Sequence, residues 1–336
     1  MPSVADPVIH PPIAGGLTTT AERYDIEADW SLMSTCNYRC EYCFWDSEAL
    51  GRKIKPPAPI DTLSRFFDDT SLTWLLHLTG GEPFHYPRFV ELCRLLTQRH
   101  FISINTNADS DRVRTFSEII DPARVDFINC GVHVQQREER NRAEAFVRNV
   151  HFLRDAGFDA FASCVMYPPV FPDFSETWER YAQDDVILIP KAFRGIYQGR
   201  PYPEAYSDSQ RALFIEYSLR AEQECREQIT RRAVRPSIDP FLDRERFLHG
   251  TEDCRGRMCR AGRDFVRIWD TGEIRRCGPA DVIGNVAEGW FHRRNGPSPC
   301  IETECPYFCA RYLVQGPLGA RLRLVQIGSL LRSARR

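Results

Sequence analysis

Residues 35–45 read TCNYRCEYCFW, and the three cysteines in them, Cys36, Cys40 and Cys43, decide how the chain around them is read. A tetrahedral metal site takes four ligands, so three thiols this close together leave one ligand to be found elsewhere. The whole chain has 13 cysteines, an odd count that argues against a disulfide framework. Its first residues, MPSVADPVIHPPIAGG, carry neither a basic start nor an apolar stretch long enough for a signal peptide, and no long uncharged apolar run follows. A cytoplasmic protein is expected, with metal ligation or redox chemistry as the use of its thiols. A formal charge of -2 gives no general attraction to nucleic acid or to anionic membrane, and neither is expected as a partner.

Short apolar runs alternate with stretches of helical periodicity from residue 24 to about 195, the pattern of repeated β-α units on a parallel sheet. Strands are expected at Ile26 to Met33, Trp74 to Thr79, Phe101 to Asn105, Val125 to His133, Ala160 to Met166 and Val186 to Pro190. Helices are expected at Pro59 to Phe67, Pro87 to Arg99, Asp111 to Ile120, Glu138 to Ala156 and Asp173 to Gln183. Six strands are too few for a closed eight-stranded barrel, so the fold class is α/β, an open partial (β/α)6 barrel. Active sites in such folds gather at the carboxyl ends of the strands. The three-cysteine stretch follows the first strand, TGGEP (Thr79 to Pro83) the second, and NTN (Asn105 to Asn107) the third.

Cys-x3-Cys-x2-Cys with an aromatic residue before its last cysteine, followed by GGEP after strand two, resembles the radical S-adenosylmethionine superfamily. The resemblance implies that Cys36, Cys40 and Cys43 hold a [4Fe-4S] cluster whose fourth iron takes S-adenosylmethionine, so the missing ligand is the cosubstrate. It places Tyr42 against the adenine, and Gly80, Gly81, Glu82 and the adjoining Pro83 towards the methionine amino group. Asn105 and Asn107 would line the same pocket. A zinc knuckle is the competing reading, and three cysteines without a nearby fourth ligand fit it poorly.

A second group of cysteines lies about 200 residues later. In CRGRMCRAGRDFVRIWDTGEIRRCG, four residues separate Cys254 from Cys259, and RDFVRIW and EIRRC flank a DTG turn before Cys277. This stretch, with Gly284 and Asn285 beyond it, resembles the SPASM and twitch extensions of the same superfamily. The chain departs from the full two-cluster pattern: it lacks a Cys-x2-Cys pair upstream of Cys305 and any cysteine after Cys309. One auxiliary [4Fe-4S] cluster is therefore expected in a small cysteine-rich α+β domain, with Cys254, Cys259, Cys277 and Cys309 as first-choice ligands. Cys305 is able to replace Cys254 or Cys309. Structural zinc is the alternative, because spacing alone does not separate the two. The isolated Cys93, Cys130 and Cys225 read as small buried hydrophobes.

The expected organisation is an N-terminal arm (1–23), the partial barrel (24–200), a helical bridge (201–250), the auxiliary domain (251–312) and a basic C-terminal helix or tail (313–336). The resemblance implies a flavodoxin- or ferredoxin-type electron donor and hydrogen abstraction by a 5'-deoxyadenosyl radical. The expected substrate is a small carbohydrate-, aminosugar- or nucleoside-like metabolite, undergoing oxidation, epimerisation or radical fragmentation. A maturase of ribosomal peptides and a non-catalytic zinc protein are the alternatives. Strand alternation sends Ser163 and Cys164 to opposite faces; an inward Cys164 would be a hydrogen-atom donor, and a packed, inert cysteine is the other reading.

Overall fold

The computed structural model describes residues 23–230, 237, 240, 241, 244, 247, 253–278, 280–303, 305 and 311–314. Most of the expected arm and tail, much of the bridge, and Cys309 lie outside these residues.

Six parallel strands run in sequence order: β1 (Ile26–Ser31), β2 (Trp74–Thr79), β3 (Phe101–Thr106), β4 (Val125–Gly131), β5 (Ala160–Met166) and β6 (Leu188–Ala192). α1 (Ser47–Gly51) and α2 (Ile60–Asp69) connect β1 to β2. α3 (Phe89–Leu96) and α4 (Arg112–Ile119) make the next two crossovers. α5 (Val134–Arg140) and α6 (Ala143–Asp155) lead to β5, and α7 (Phe174–Gln183) leads to β6. Because β6 pairs with β5 alone, the parallel array stays open.

The strands alternate apolar and polar residues, which is unusual for parallel strands buried on both faces. In IEADWS the residues Ile26, Ala28 and Trp30 face the helices, and Trp30 meets Phe67 of α2 at 5.3 Å. Glu27 and Asp29 face inward. The same phase puts His77, Ser103 and Asn105 inside, so the concave side is polar while the convex side, with Trp74, Leu76, Ile102 and Ile104, forms the core beneath the helices.

The hairpin expected from the DTG turn is present. β10 (Phe265–Ile268) and β11 (Glu273–Arg275) are antiparallel, and Gly272 at φ +85 makes the turn that only glycine adopts freely. β12 (Val282–Asn285) and β13 (Trp290–Phe291) extend it. This hairpin is part of the main sheet: β10 lies parallel to β1, with Glu27 opposite Phe265, giving a ten-stranded order β13-β12-β11-β10-β1-β2-β3-β4-β5-β6. Two small pairs complete the strands, β7 (Gly195–Tyr197) with β8 (Arg200–Tyr202), and β9 (Met258–Cys259) with β14 (Ser298–Pro299). α8 (Asp208–Thr230) packs on β6 and buries Phe214, Tyr217 and Ala221.

The helix expected over Glu138 to Ala156 is two helices. Asn141, at φ +52, ends α5, and asparagine tolerates this left-handed conformation better than most residues. No helix among the described residues is long and apolar enough to cross a membrane.

Candidate active site

A cavity of about 540 Å³ opens at the carboxyl ends of the six strands. Cys36, Cys40 and Cys43 line it, all half-buried and free of disulfides. Their loop is fixed from several sides. Cys43 N donates to Cys40 O (3.0 Å), Arg39 N to Gln136 Oε1 (2.9 Å), and Asn37 Nδ2 to Asp109 Oδ2 (3.0 Å). Asn107 Nδ2 donates to Asn37 Oδ1 at 2.8 Å and stands 4.0 Å from Cys36 Sγ.

The two glycines after β2 are required by close approach of the chain to itself. A Cβ on Gly80 would fall 2.2 Å from Met33 O, and one on Gly81 1.9 Å from Thr35 O. With no side chain in the way, Gly81 N donates to Met33 O (2.7 Å) and Glu82 N to Thr35 O (3.0 Å), binding this loop to the entrance of the cysteine loop. Gly80 and Gly81 line the cavity. Glu82 and Pro83 lie behind it, buried. Glu82 accepts from Thr106 Oγ1 (2.7 Å), Asn107 N (2.6 Å) and Phe84 N (3.0 Å), which joins the exits of β2 and β3. Burial raises its carboxyl to about 7 against the opposing pull of those bonds.

Tyr42 lines the cavity with its hydroxyl 2.6 Å from His133 Nδ1 and its ring 4.6 Å from that of Tyr167. His133 sits at φ +45 just past β4 and folds its ring over Gly131, where a Cβ would come within 2.6 Å of Nε2. Burial lowers its pKa to about 3, with Arg137 adding to the effect, so the ring is neutral. Arg137 is fully buried and donates to the carbonyls of Asn107, Gly131 and Val132, tying the exits of β3 and β4 together.

Across the cavity floor runs a polar ladder. Ser163 Oγ donates to Asn129 Oδ1 (2.7 Å), and Asn129 Nδ2 donates to Asn105 Oδ1 (3.0 Å), linking β5, β4 and β3. Lys191 on β6 and Arg194 beyond it complete the wall. Phe127 and Phe161 supply an apolar part of the lining. Ser163 of β5 lines the cavity, whereas Cys164 borders an adjoining void of about 10 Å³ that Cys40, Tyr42, His133 and Tyr167 also line.

His133, Asn129 and Lys191 were not singled out from the sequence. The signal for the first two was INCGVH, polar and glycine residues at a strand exit. Lys191 was hidden because Pro190 reads as a strand end. β6 is an edge strand of the sheet, where a missing N–H is tolerated, and it continues to Ala192.

The profile of the radical SAM superfamily matches residues 30–184, from β1 through α7. Residues 30–184 form a radical SAM superfamily domain. Among solved structures, native anSMEcpe with bound AdoMet is similar over 78% of each chain at a TM-score of 0.51 and 16% identity. Streptococcus suis SuiB bound to S-adenosylmethionine is similar over 89% of this chain and 68% of its own at a TM-score of 0.51 and 13% identity. These likenesses concern the fold. A curated relative, the S-adenosylmethionine-dependent nucleotide dehydratase of Thermoplasmatales archaeon (strain ISO4-H5), is 34% identical over 90 residues, 26% of this chain; the match spans about a third (32%) of that protein's length.

The donor set suits the group this family binds. Three soft thiols come from one loop at the wall of a cavity, and three leave an iron open for a further ligand. Burial raises Cys36 to about 12, Cys40 to about 11, and Cys43 in the same direction, so the bare thiols hold their protons and give them up when metal binds. Among the described residues, no three His, Cys, Asp or Glu side chains are arranged to hold a single metal ion.

In the C-terminal segment, Cys254 and Cys259 are buried while Cys277, Cys300 and Cys305 are half-buried. Cys259, Ala261, Phe265 and Tyr312 form a small apolar cluster against which Cys300, Cys305 and Leu313 pack.

Proposed function

We propose that this chain is an enzyme that removes a hydrogen atom from a small polar metabolite, of carbohydrate, aminosugar or nucleoside type, held in the cavity beside Cys36, Cys40 and Cys43. The observation that carries the reading is the Asn105–Asn129–Ser163 ladder, which shares one cavity with the three thiols. When bound, the cluster and S-adenosylmethionine supply a 5'-deoxyadenosyl radical, with electrons from a flavodoxin- or ferredoxin-type donor. Tyr42, Gly80, Gly81 and Asn105 border the cosubstrate. Glu82, Pro83 and Asn107 hold the loops on which these groups stand.

The ladder's amides and hydroxyl suit the hydroxyl groups of a sugar, and Lys191 and Arg194 suit a carboxylate or phosphate at its far end. Phe127 and Phe161 give the apolar surface that keeps water from the reacting carbon. The nucleotide dehydratase similarity, confined to 90 residues, supports a nucleoside-like member of this class. A SPASM- or twitch-type auxiliary cluster held by the later cysteines would take the electron left on the substrate, giving net oxidation.

The test is anaerobic turnover of the reconstituted chain with reductant, S-adenosylmethionine and a panel of nucleosides, nucleotides, aminosugars and peptides, reading 5'-deoxyadenosine. Stimulation above the substrate-free rate by a small metabolite supports the reading. Stimulation by peptides alone assigns the chain to peptide maturation and refutes it.

A further inference from the structure

We infer that Cys300 joins Cys254, Cys259 and Cys277 as the fourth protein thiolate of the auxiliary iron-sulfur site, the position that spacing gave to Cys309. The inference rests on reading the C-terminal segment as a cluster domain.

The backbone brings these four together by three independent ties. Ser298 pairs with Cys259 and Pro299 with Met258 in the β9–β14 ladder. Just beyond it, Gly256 N donates to Cys300 O (2.9 Å) and Cys300 N to Arg257 O (2.8 Å), which sets Cys300 opposite the turn between Cys254 and Cys259. Cys254 N donates to Thr303 O (2.7 Å) and closes the far side of the same loop. The third tie comes from Arg276, beside Cys277. Its buried guanidinium donates to Ser298 Oγ (2.6 Å) and Pro299 O (2.8 Å), docking the end of β11 on the two residues before Cys300.

Phe265 and Tyr312 pack with Cys259, and Cys300 and Cys305 rest against that apolar cluster. With four protein thiolates no iron is left open to substrate, and such a cluster carries electrons without binding the metabolite.

The test uses the full chain carrying Cys36→Ala, Cys40→Ala and Cys43→Ala, so that iron reports on the second site alone. After anaerobic reconstitution with iron and sulfide this parent is expected to hold about four irons. Adding Cys300→Ala is expected to remove most of that iron or to leave a three-iron cluster with its own electron paramagnetic resonance signal. Cys300→Ser keeps a cluster with a shifted spectrum. Cys305→Ala and Cys309→Ala keep it unchanged. Full iron and an unaltered spectrum in Cys300→Ala overturn the proposal, as does loss on Cys309→Ala with retention on Cys300→Ala. A parent that binds no iron overturns the cluster reading itself, a different result from an indifferent Cys300. In the natural background Cys300→Ala is expected to keep the iron of the first site; loss of both clusters marks a folding defect and counts against the assignment.

Discussion

Replacing Gly81 with alanine tests how the cysteine loop is held in place. The added Cβ would lie 1.9 Å from Thr35 O, 2.4 Å from Thr35 C and 2.5 Å from Ser34 O, all backbone atoms at the entrance to the loop. No rotamer change relieves such a contact, so the exits of β1 and β2 must part by about 1 Å, and overpacking of this kind costs about 1–3 kcal/mol. Parting them also strains two bonds, Gly81 N to Met33 O and Glu82 N to Thr35 O, each with a net contribution of about 1 kcal/mol. The expected loss is about 3–5 kcal/mol, a large share of the roughly 5–15 kcal/mol that stabilises a folded domain. The assay is urea unfolding together with iron content of the first site in a chain reconstituted anaerobically. Gly289→Ala is the control: its φ is +77 with nothing within 4 Å of an added Cβ, so only left-handed strain of about 1–2 kcal/mol applies and iron is retained. A Gly81→Ala chain that unfolds no earlier than the control and keeps all its iron refutes the reasoning.

Changing Cys36, Cys40 and Cys43 together to alanine is expected to abolish 5'-deoxyadenosine formation while iron stays at the second site; continued formation removes the assignment. The natural chain is expected to hold about eight irons, and a reproducible value near about twelve means a second auxiliary cluster. Burial lowers His77 to about 4, and the charge of Glu27, 3.3 Å away, is already met by Arg311. The unfolded chain takes up this proton below about pH 6.5 while the folded chain does not, so stability falls as pH drops, by about 2 kcal/mol at pH 5. His77→Gln should shrink the loss between pH 7 and pH 5 by that amount in urea unfolding, and equal losses in the two chains disprove it. Ser163→Ala is expected to weaken stimulation by a small metabolite several-fold without altering basal 5'-deoxyadenosine formation, whereas Cys164→Ala leaves the product unchanged; the opposite pattern would give a donor role to Cys164.

What the sequence disclosed were features that repeat or cluster locally. The six strands announce themselves by apolar runs, and the cysteine loop, TGGEP and NTN by their places at strand ends. The expected β1 ran to Met33 because Leu32 and Met33 are apolar, yet those residues already leave the strand to meet the TGGEP loop. Alternation said that Ser163 and Cys164 oppose each other, but which one faces the cavity depends on how β5 sits against β4, a long-range fact. The place of Cys300 was hidden for the same reason, since its backbone partners Gly256 and Arg257 are distant in the chain.

The parallel pairing of β10 with β1 has a consequence for how the protein is made. β1, which feeds the cysteine loop, gains one of its two neighbours from about 240 residues downstream, an extreme of non-local contact that slows folding. During synthesis at roughly 5–20 residues per second, that neighbour emerges roughly 10–50 s after β1. Through that interval the strand beneath the cysteine loop presents a bare edge, open to pairing with another nascent chain. Cluster insertion into the first site would then be best timed after the C-terminal hairpin has closed, and chains cut short before residue 265 should accumulate as aggregates that never become brown.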